Sequence, residues 1–521
     1  MKSLLKKLSL LPDSNIQKAL LISFIIANFC FLYHTLNFMW GNHDVKFIKE
    51  ELLLSSGLFE GRFTQFILYR LLTNGQILPV LNNLIGFSFL IIAMYVLSKY
   101  WNIPQTKLNL IIFTTFFITQ PYTLSWLYFT FITISCMAWA FFAILGLYLS
   151  SLIKNHPHKL LLSIISIICF YLPLGGYPPI INTFFVCLSA KMTLDVIFYQ
   201  KNIKDLFATY KYTIINILIS AILFKLTLYF VPSDEVYNLE TTPIQDLPNK
   251  FFSTLKISFN QFFVSVPFME KGYKITLAIM SFISIFGAII TSTDTKKRLL
   301  SIVLICATIW FTSLTTFLVV PPTEYVSRID FYGYGFLYAF FLSLLLSLKP
   351  KIFESIGILF GLILIYLNIL NNYHALYVWQ EGFKHETKIL ENIYTRIELH
   401  PNFNPEKKYR IFQVGDISLR PMYYNKNIDK DDVFLLSIPY LAMWQSKNLL
   451  QFYSPFNFTS DIENLFISDI TDSVQDYVNN RARIWPEKDS IYIDDNIILI
   501  VLTQNELNKL KIKVNNLLNK T

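Results

Sequence analysis

Long apolar runs separated by short polar turns set the pattern of this chain. They fall at about 19–38, 76–98, 108–121, 124–152, 160–174, 178–199, 212–231, 272–292, 299–320, 330–348 and 352–371. A membrane-spanning helix needs roughly 20 apolar residues. The third and fifth runs are short for a full span, and the fourth is long enough to tilt or break. The pattern predicts a polytopic α-helical membrane protein with about 11 transmembrane helices over residues 1–371.

The pattern changes after Asn371. Leu376, Trp379, Phe383, Leu390, Ile393 and Ile397 recur at helical spacing and predict a helix over 374–399. Tyr409–Val414 reads as a strand, followed by Gly415-Asp416. Two strand-like runs within Ser490–Leu502 flank Asp494-Asp495-Asn496, and Asn505–Asn519 reads as a helix. Residues 372–521 are therefore expected to form a mixed α/β domain. There is no internal repeat and no low-complexity linker.

Composition agrees with the membrane reading. The 521 residues are 54% hydrophobic and 15% charged, against about 45–50% apolar and about 25% charged in soluble domains. The net charge of +9 is uneven: residues 1–371 hold 27 Lys and Arg against 16 Asp and Glu, and residues 372–521 hold 17 against 19. The basic excess sits in membrane loops, so no nucleic-acid partner is expected. The five cysteines, Cys30, Cys136, Cys169, Cys187 and Cys306, lie in apolar segments without CxxC spacing, which argues against disulfides and zinc. The basic start, Met1 to Leu11, followed by apolar Ala19 to Phe38, mimics a signal peptide. No small-residue cleavage site follows, so the segment reads as a retained first helix.

Loop charge gives an orientation. With the N-terminus cytoplasmic, the inner loops carry Lys99 and Lys107; Lys154 and Lys159; Lys191, Lys201, Lys204 and Lys211; Lys296, Lys297 and Arg298; and Lys349 and Lys351. The turns at Gln120-Pro121 and Pro173–Pro178 are uncharged and fall outside. Larger outer loops follow at about 39–75, 232–271 and 321–329, and the C-terminal domain is extracytoplasmic. Val45–Leu54 fits a short helix at the interface, with a solvated loop as the alternative.

Candidate chemistry lies on that outer side. Asn42-His43-Asp44 follows the first apolar segment, and no acidic residue occurs between Glu60 and Asp195. Ionisable groups at a membrane are costly and tend to be functional. Asp44 is a candidate general base for an acceptor hydroxyl, or a cap for the helix that follows. Arg62, in Gly61-Arg62-Phe63, is a candidate phosphate ligand, with Lys46 or Arg70 assisting. Its alternative is an arginine snorkelling to head groups. Glu324 and Arg328 stand four apart in Pro321–Arg328 and either pair with each other or supply an acceptor-orienting acid and a second phosphate ligand. Tyr177, in Gly175-Gly176-Tyr177-Pro178-Pro179, and Tyr122, in Gln120-Pro121-Tyr122, occupy outer turns and could touch a sugar or be structural. His43 with Asp44 is too few ligands for a metal, so no cofactor is indicated. No glycine-rich phosphate loop precedes a helix.

These motifs carry a resemblance. A first membrane helix is followed by Asn42-His43-Asp44, then Gly61-Arg62-Phe63, then Leu78-Pro79 with Asn82-Asn83 at the second helix. Arg328 precedes Phe331-Tyr332, and Asn371-Asn372-Tyr373 leads into a helix through Glu391-Asn392. Over residues 20–400 the chain resembles the type II glucosyl transferase family of bacterial membrane proteins, known from phage-encoded O-antigen glucosylation. His43 stands where that family usually has a second acid, and Phe63 where it often has tryptophan. The resemblance implies a GT-C-like membrane fold in the bacterial inner membrane. The implied donor is an undecaprenyl phosphate-linked sugar, commonly glucose, and the implied acceptor is a periplasmic lipid-linked or surface polysaccharide such as O-antigen. A small flippase and a cytoplasmic donor synthase are the partners such a donor calls for.

The expectation is an inverting glycosyltransferase with Asp44 as base. Arg62, Arg328 and Lys46 bind phosphate, and His43, Glu324, Tyr177 and Tyr122 contact substrate. The runner-up is a polysaccharide polymerase on a similar scaffold. A lipid-linked glycan transporter or flippase fits less well, because acids avoid the span centres and no repeated halves are visible.

Overall fold

The computed structural model describes residues 10–37, 39, 62–127, 129–230, 244–263, 271–292, 294–318, 331–415, 458–459, 470–494 and 496–518. The chain divides into two compact units, Met1–Phe38 with Glu51–His374, and Met39–Glu50 with Ala375–Thr521.

The first unit is helical among its described residues. Its helices are α1 (Ser14–Cys30), α2 (Leu32–Leu36), α3 (Phe63–Thr73), α4 (Pro79–Tyr100), α5 (Lys107–Thr119), α6 (Pro121–Leu127), α7 (Thr133–Leu152) and α8 (Lys159–Leu174). They continue with α9 (Ile181–Tyr199), α10 (Ile203–Phe230), α11 (Leu247–Phe263), α12 (Lys271–Thr291), α13 (Thr295–Phe311), α14 (Leu314–Leu318), α15 (Phe336–Ser347) and the first part of α16 (Ile352–Glu398), whose residues from Ala375 belong to the second unit. Local signals start several of them. The Asp13 side chain accepts from the backbone N–H groups of Asn15 and Ile16, both at 2.9 Å, Thr106 caps Asn109 at 3.2 Å, and Asp294 caps Lys296 at 3.1 Å. Pro79 opens α4, where its missing N–H costs nothing.

A helix coincides with each of the eleven apolar segments. Six are long and apolar enough to cross a membrane, or seven if the bent pair α5–α6 counts as one span. Three more, Ser14–Cys30, Lys159–Leu174 and Phe331–Ser347, are apolar but shorter. The protein is a polytopic helical membrane protein. The spans differ in what covers them. The segment Pro178–Tyr199 is mostly buried within the protein, whereas Ile203–Phe230 is mostly uncovered and exposes Ile215, Leu218, Ile222 and Leu226. In lipid an apolar exposed face carries no penalty, so a peripheral span need not bury it.

One boundary differs from expectation. The last apolar segment and the helix expected over 374–399 form one 47-residue helix, α16. No proline or glycine pair interrupts them, and a helix interior without a breaker continues.

The second unit holds a four-stranded sheet ordered β2 (Phe458–Thr459), β1 (Tyr409–Val414), β4 (Ile497–Val501), β3 (Ile491–Ile493). β1 runs parallel to β2 and β4, and β3 pairs antiparallel with β4. Every residue of β4 is buried, as its unbroken Ile-Ile-Leu-Ile-Val run requires. Helix α17 (Asp472–Asp476) precedes the β3–β4 pair, and α18 (Gln504–Leu518) follows it. Leu507, Leu510 and Val514 recur at helical spacing on α18 and join Val414, Leu499 and Val501 in one core. Each such side chain stabilises the unit by roughly 1.5–3 kcal/mol.

Candidate functional site

Arg62 lies immediately before α3. The start of that helix is seated on the Gly175-Gly176 turn. The Thr64 N–H donates to the Gly175 carbonyl at 3.0 Å, and the Thr64 hydroxyl donates to the Leu172 carbonyl at 2.6 Å. A Cβ on Gly175 would lie 2.6 Å from Phe63 Cζ, and a Cβ on Gly176 would lie 2.2 Å from Trp139 Nε1. Both positions are glycine because side chains occupy that space. The turn thereby brings Tyr177 beneath Arg62, with the guanidinium carbon 5.3 Å from the ring centroid. Two motifs far apart in sequence become neighbours. A guanidinium over an aromatic face gains about 0.5–2 kcal/mol and keeps its planar edge oriented.

A break in the fold supplies the next part. Between α5 and α6 the axis bends by 51°. Pro121 lacks an N–H and forces Gln120 into an extended conformation, with ψ 147°. The end of α5 leaves carbonyls without helical partners, and asparagines of α16 take them. Asn372 Nδ2 donates to the Thr119 carbonyl at 2.6 Å, and Asn368 Nδ2 donates to the Thr119 hydroxyl at 3.1 Å. Past the bend, the Trp126 ring stands edge-on to Tyr177 at 5.1 Å and 5.4 Å from Tyr332. Tyr122 stacks on Tyr334 at 6.4 Å.

Phe331–Gly335 is a π-helical turn leading into α15, a conformation concentrated at functional sites. Its residues are pinned from several sides. Tyr332 Oη donates to the Cys136 carbonyl at 2.8 Å, and Tyr334 Oη donates to the Ser258 carbonyl at 2.7 Å. Thr183 Oγ1 donates to the Tyr332 carbonyl at 2.9 Å. A Cβ on Gly333 would meet the Thr312 carbonyl oxygen at 2.4 Å. Thr312 and Thr315, either side of the α13–α14 junction, are held by one side chain: Asn182 Nδ2 donates to the Thr312 carbonyl, and Asn182 Oδ1 accepts from the Thr315 N–H and hydroxyl, all at 2.8 Å.

Of the residues singled out from the sequence, Arg62, Tyr177 and Tyr122 are described. Arg62 and Tyr177 are in contact, and Tyr122 stacks on Tyr334 of the π-helical turn that also carries Tyr332. Arg70 is exposed on α3. His43, Asp44, Lys46, Glu324 and Arg328 lie outside the described residues. Among the described residues no group of His, Cys, Asp and Glu could hold a metal ion. Asn82 and Asn83 hold the fold: Asn82 Nδ2 donates to the Thr130 carbonyl at 3.1 Å, and Asn83 Nδ2 bonds to Thr35 at 3.1 Å.

Sequence reasoning passed over Trp126 and Lys274, and noted Tyr332 only as part of the Phe331-Tyr332 motif. Lys274 is 3% exposed, and its Nζ donates to Tyr338 Oη at 3.1 Å. Lys271–Lys274 reads as the polar flank of an apolar segment, which hides a buried cation. The aromatic density of 120–132 was the available signal for Trp126.

A half-buried arginine over a tyrosine, walled by aromatic rings at a broken helix in a polytopic membrane protein, suits an anionic group joined to a ring-shaped polar one. The family comparison agrees with that class. Residues 51–342 match the family model Glucosyl transferase GtrII, and the chain belongs to this family of glucosyl transferases. No curated protein and no solved structure matches the chain.

Proposed function

We propose that the protein transfers a sugar, glucose by family, from a polyprenyl phosphate donor to a lipid-linked or surface polysaccharide at the periplasmic face of a bacterial inner membrane. The observation that carries this reading is Arg62 over Tyr177, fixed by the glycine turn and walled by Trp126 and Tyr332. Arg62 takes the donor phosphate, because guanidinium matches its oxygens in a planar fork. Arg328 is the second phosphate ligand and stands three positions before Phe331, whose ring is 6.2 Å from Trp126. Lys46 adds a third positive charge.

The chemistry is a single displacement with inversion. The acceptor hydroxyl oxygen attacks the anomeric carbon as the bond from that carbon to the phosphate oxygen breaks. The hydroxyl proton passes to the Asp44 carboxylate, and polyprenyl phosphate leaves with the bonding pair. The arginines stabilise charge that grows on the leaving oxygen. His43, Glu324, Tyr177 and Tyr122 orient the acceptor and the sugar. In the orientation read from loop charge, all these positions fall on the outer face, where a flipped donor made by a cytoplasmic synthase arrives. The Ala375–Thr521 unit would then meet the acceptor glycan.

The test is transfer by purified full-length protein from radiolabelled polyprenyl phosphate glucose to candidate glycans. Asp44→Asn is expected to abolish product at unchanged expression. Full activity in that variant removes Asp44 as base. Vectorial uptake by vesicles without transfer from any polyprenyl donor would replace the enzyme reading with transport.

A further inference from the structure

Gln120, Thr123 and Trp126 form a polar stripe along one side of the bend and α6, spaced by three residues so that they share a helical face. They are 1%, 0% and 0% exposed. Gln120 Nε2, Thr123 Oγ1 and Trp126 Nε1 are all buried without a hydrogen-bond partner among the described residues. Trp139 Nε1, which fills the space a Gly176 side chain would take, is in the same condition. Buried polar atoms are nearly always satisfied, and each exception calls for a cause. Such atoms occur elsewhere among the described residues too, and these four fall on the α5–α6 bend, α6 and the Gly176 turn. Trp126 packs on Tyr177 and Tyr332. Gln120 Nε2 lies 2.7 Å from where a Gly335 Cβ would stand.

We infer that this stripe is the sugar-recognition subsite of the reading above, on which the inference rests. The chemistry separates sugar from phosphate. A phosphate only accepts hydrogen bonds and is served by cations such as Arg62. A sugar hydroxyl both donates and accepts, and a pyranose ring offers several at fixed spacing. Two indole N–H groups, one amide N–H and one threonine hydroxyl match such a set, and the surrounding aromatic rings cover the C–H faces of a hexose. Gln120, Thr123 and Trp126 thus determine which sugar is accepted, while Arg62 holds the phosphate whatever sugar it carries.

The experiment is equilibrium binding to detergent-solubilised full-length protein of two probes, a polyprenyl phosphate glucose and the same polyprenyl phosphate without sugar. Thr123→Val and Gln120→Leu keep side-chain volume close to native and remove only polar atoms. Each is expected to weaken the glucose-bearing lipid by roughly threefold to tenfold and to leave the sugar-free lipid unchanged. Thermal unfolding of both variants should match the native protein, because no internal hydrogen bond is lost. Equal binding of the glucose-bearing lipid by native protein and both variants, as expected if the stripe holds ordered water only, overturns the inference. So does equal weakening of both lipids. A native protein that binds the sugar-free lipid no less tightly than the glucose-bearing one also overturns it, whereas binding to neither lipid removes the donor reading itself.

Discussion

The two ends of the α9 segment differ in what their polar groups meet. At the Asp195 end a buried carboxylate gathers two lysines and a tyrosine. Asp195 is ion-paired with Lys191 at 2.9 Å and Lys201 at 2.6 Å, and it accepts from Tyr210 Oη at 2.6 Å. That cluster ties α9 to the start of α10. At the Tyr177 end Asn182 and Thr183 are likewise satisfied and fix the turns at Thr312 and Tyr332. Beside them, however, Gln120, Thr123, Trp126 and Trp139 keep polar atoms without a hydrogen-bond partner among the described residues. An ion-paired carboxylate is explained by stability alone. A group of polar atoms without such partners beside a positioned arginine points to a ligand.

Three substitutions would break or sharpen this contrast. The largest effect is expected for Asp195→Ala. It leaves Lys191, 7% exposed, without its carboxylate, and the loss of a buried partner costs about 3–5 kcal/mol. The variant should unfold well below the native protein in detergent, and a native-like Tm would show that the cluster does not hold the helices. Next is Arg62→Ala, expected to lower kcat/KM by roughly 10²–10³-fold, or about 2.7–4 kcal/mol in the transition state, with a Tm close to native. A large Tm loss with native kcat/KM would turn Arg62 into a structural residue. The smallest is Gly176→Ala. Its new methyl must displace the Trp139 indole, an overpacking that costs about 1–3 kcal/mol. Transfer should fall with stability in that variant, and native behaviour in both measurements would separate the glycine turn from the site.

The sequence carried the apolar segments, because a span announces itself by length and hydropathy without any partner. It also carried the individual motifs. Arg62, Tyr177 and Tyr122 were visible as unusual residues in polar turns, and the Pro121 and Gly175-Gly176 breaks were visible from backbone chemistry. The fusion of the last apolar segment with the next helix was not visible, since a change of composition looks like a boundary even where the backbone continues. Lys274 and Trp126 were hidden for a related reason. In a chain this apolar and aromatic, a buried lysine beside a span end and one more tryptophan look ordinary until their neighbours are known.

By itself, then, the sequence determined a polytopic helical membrane protein, the places where its helices break, and the residue types available at those breaks. These are local properties of side-chain hydropathy and backbone torsion. Only the tertiary structure decided that Arg62 lies over Tyr177, that Trp126 and Tyr332 close around that tyrosine, and that four buried polar atoms there find no hydrogen-bond partner among the described residues while the Asp195 carboxylate is ion-paired with two lysines. Proximity between residues far apart in sequence depends on how α3, α6, α9 and the Phe331–Gly335 turn pack. That packing is set by glycine contacts and carbonyl-capping asparagines spread over the whole membrane unit, which no single stretch of the chain contains.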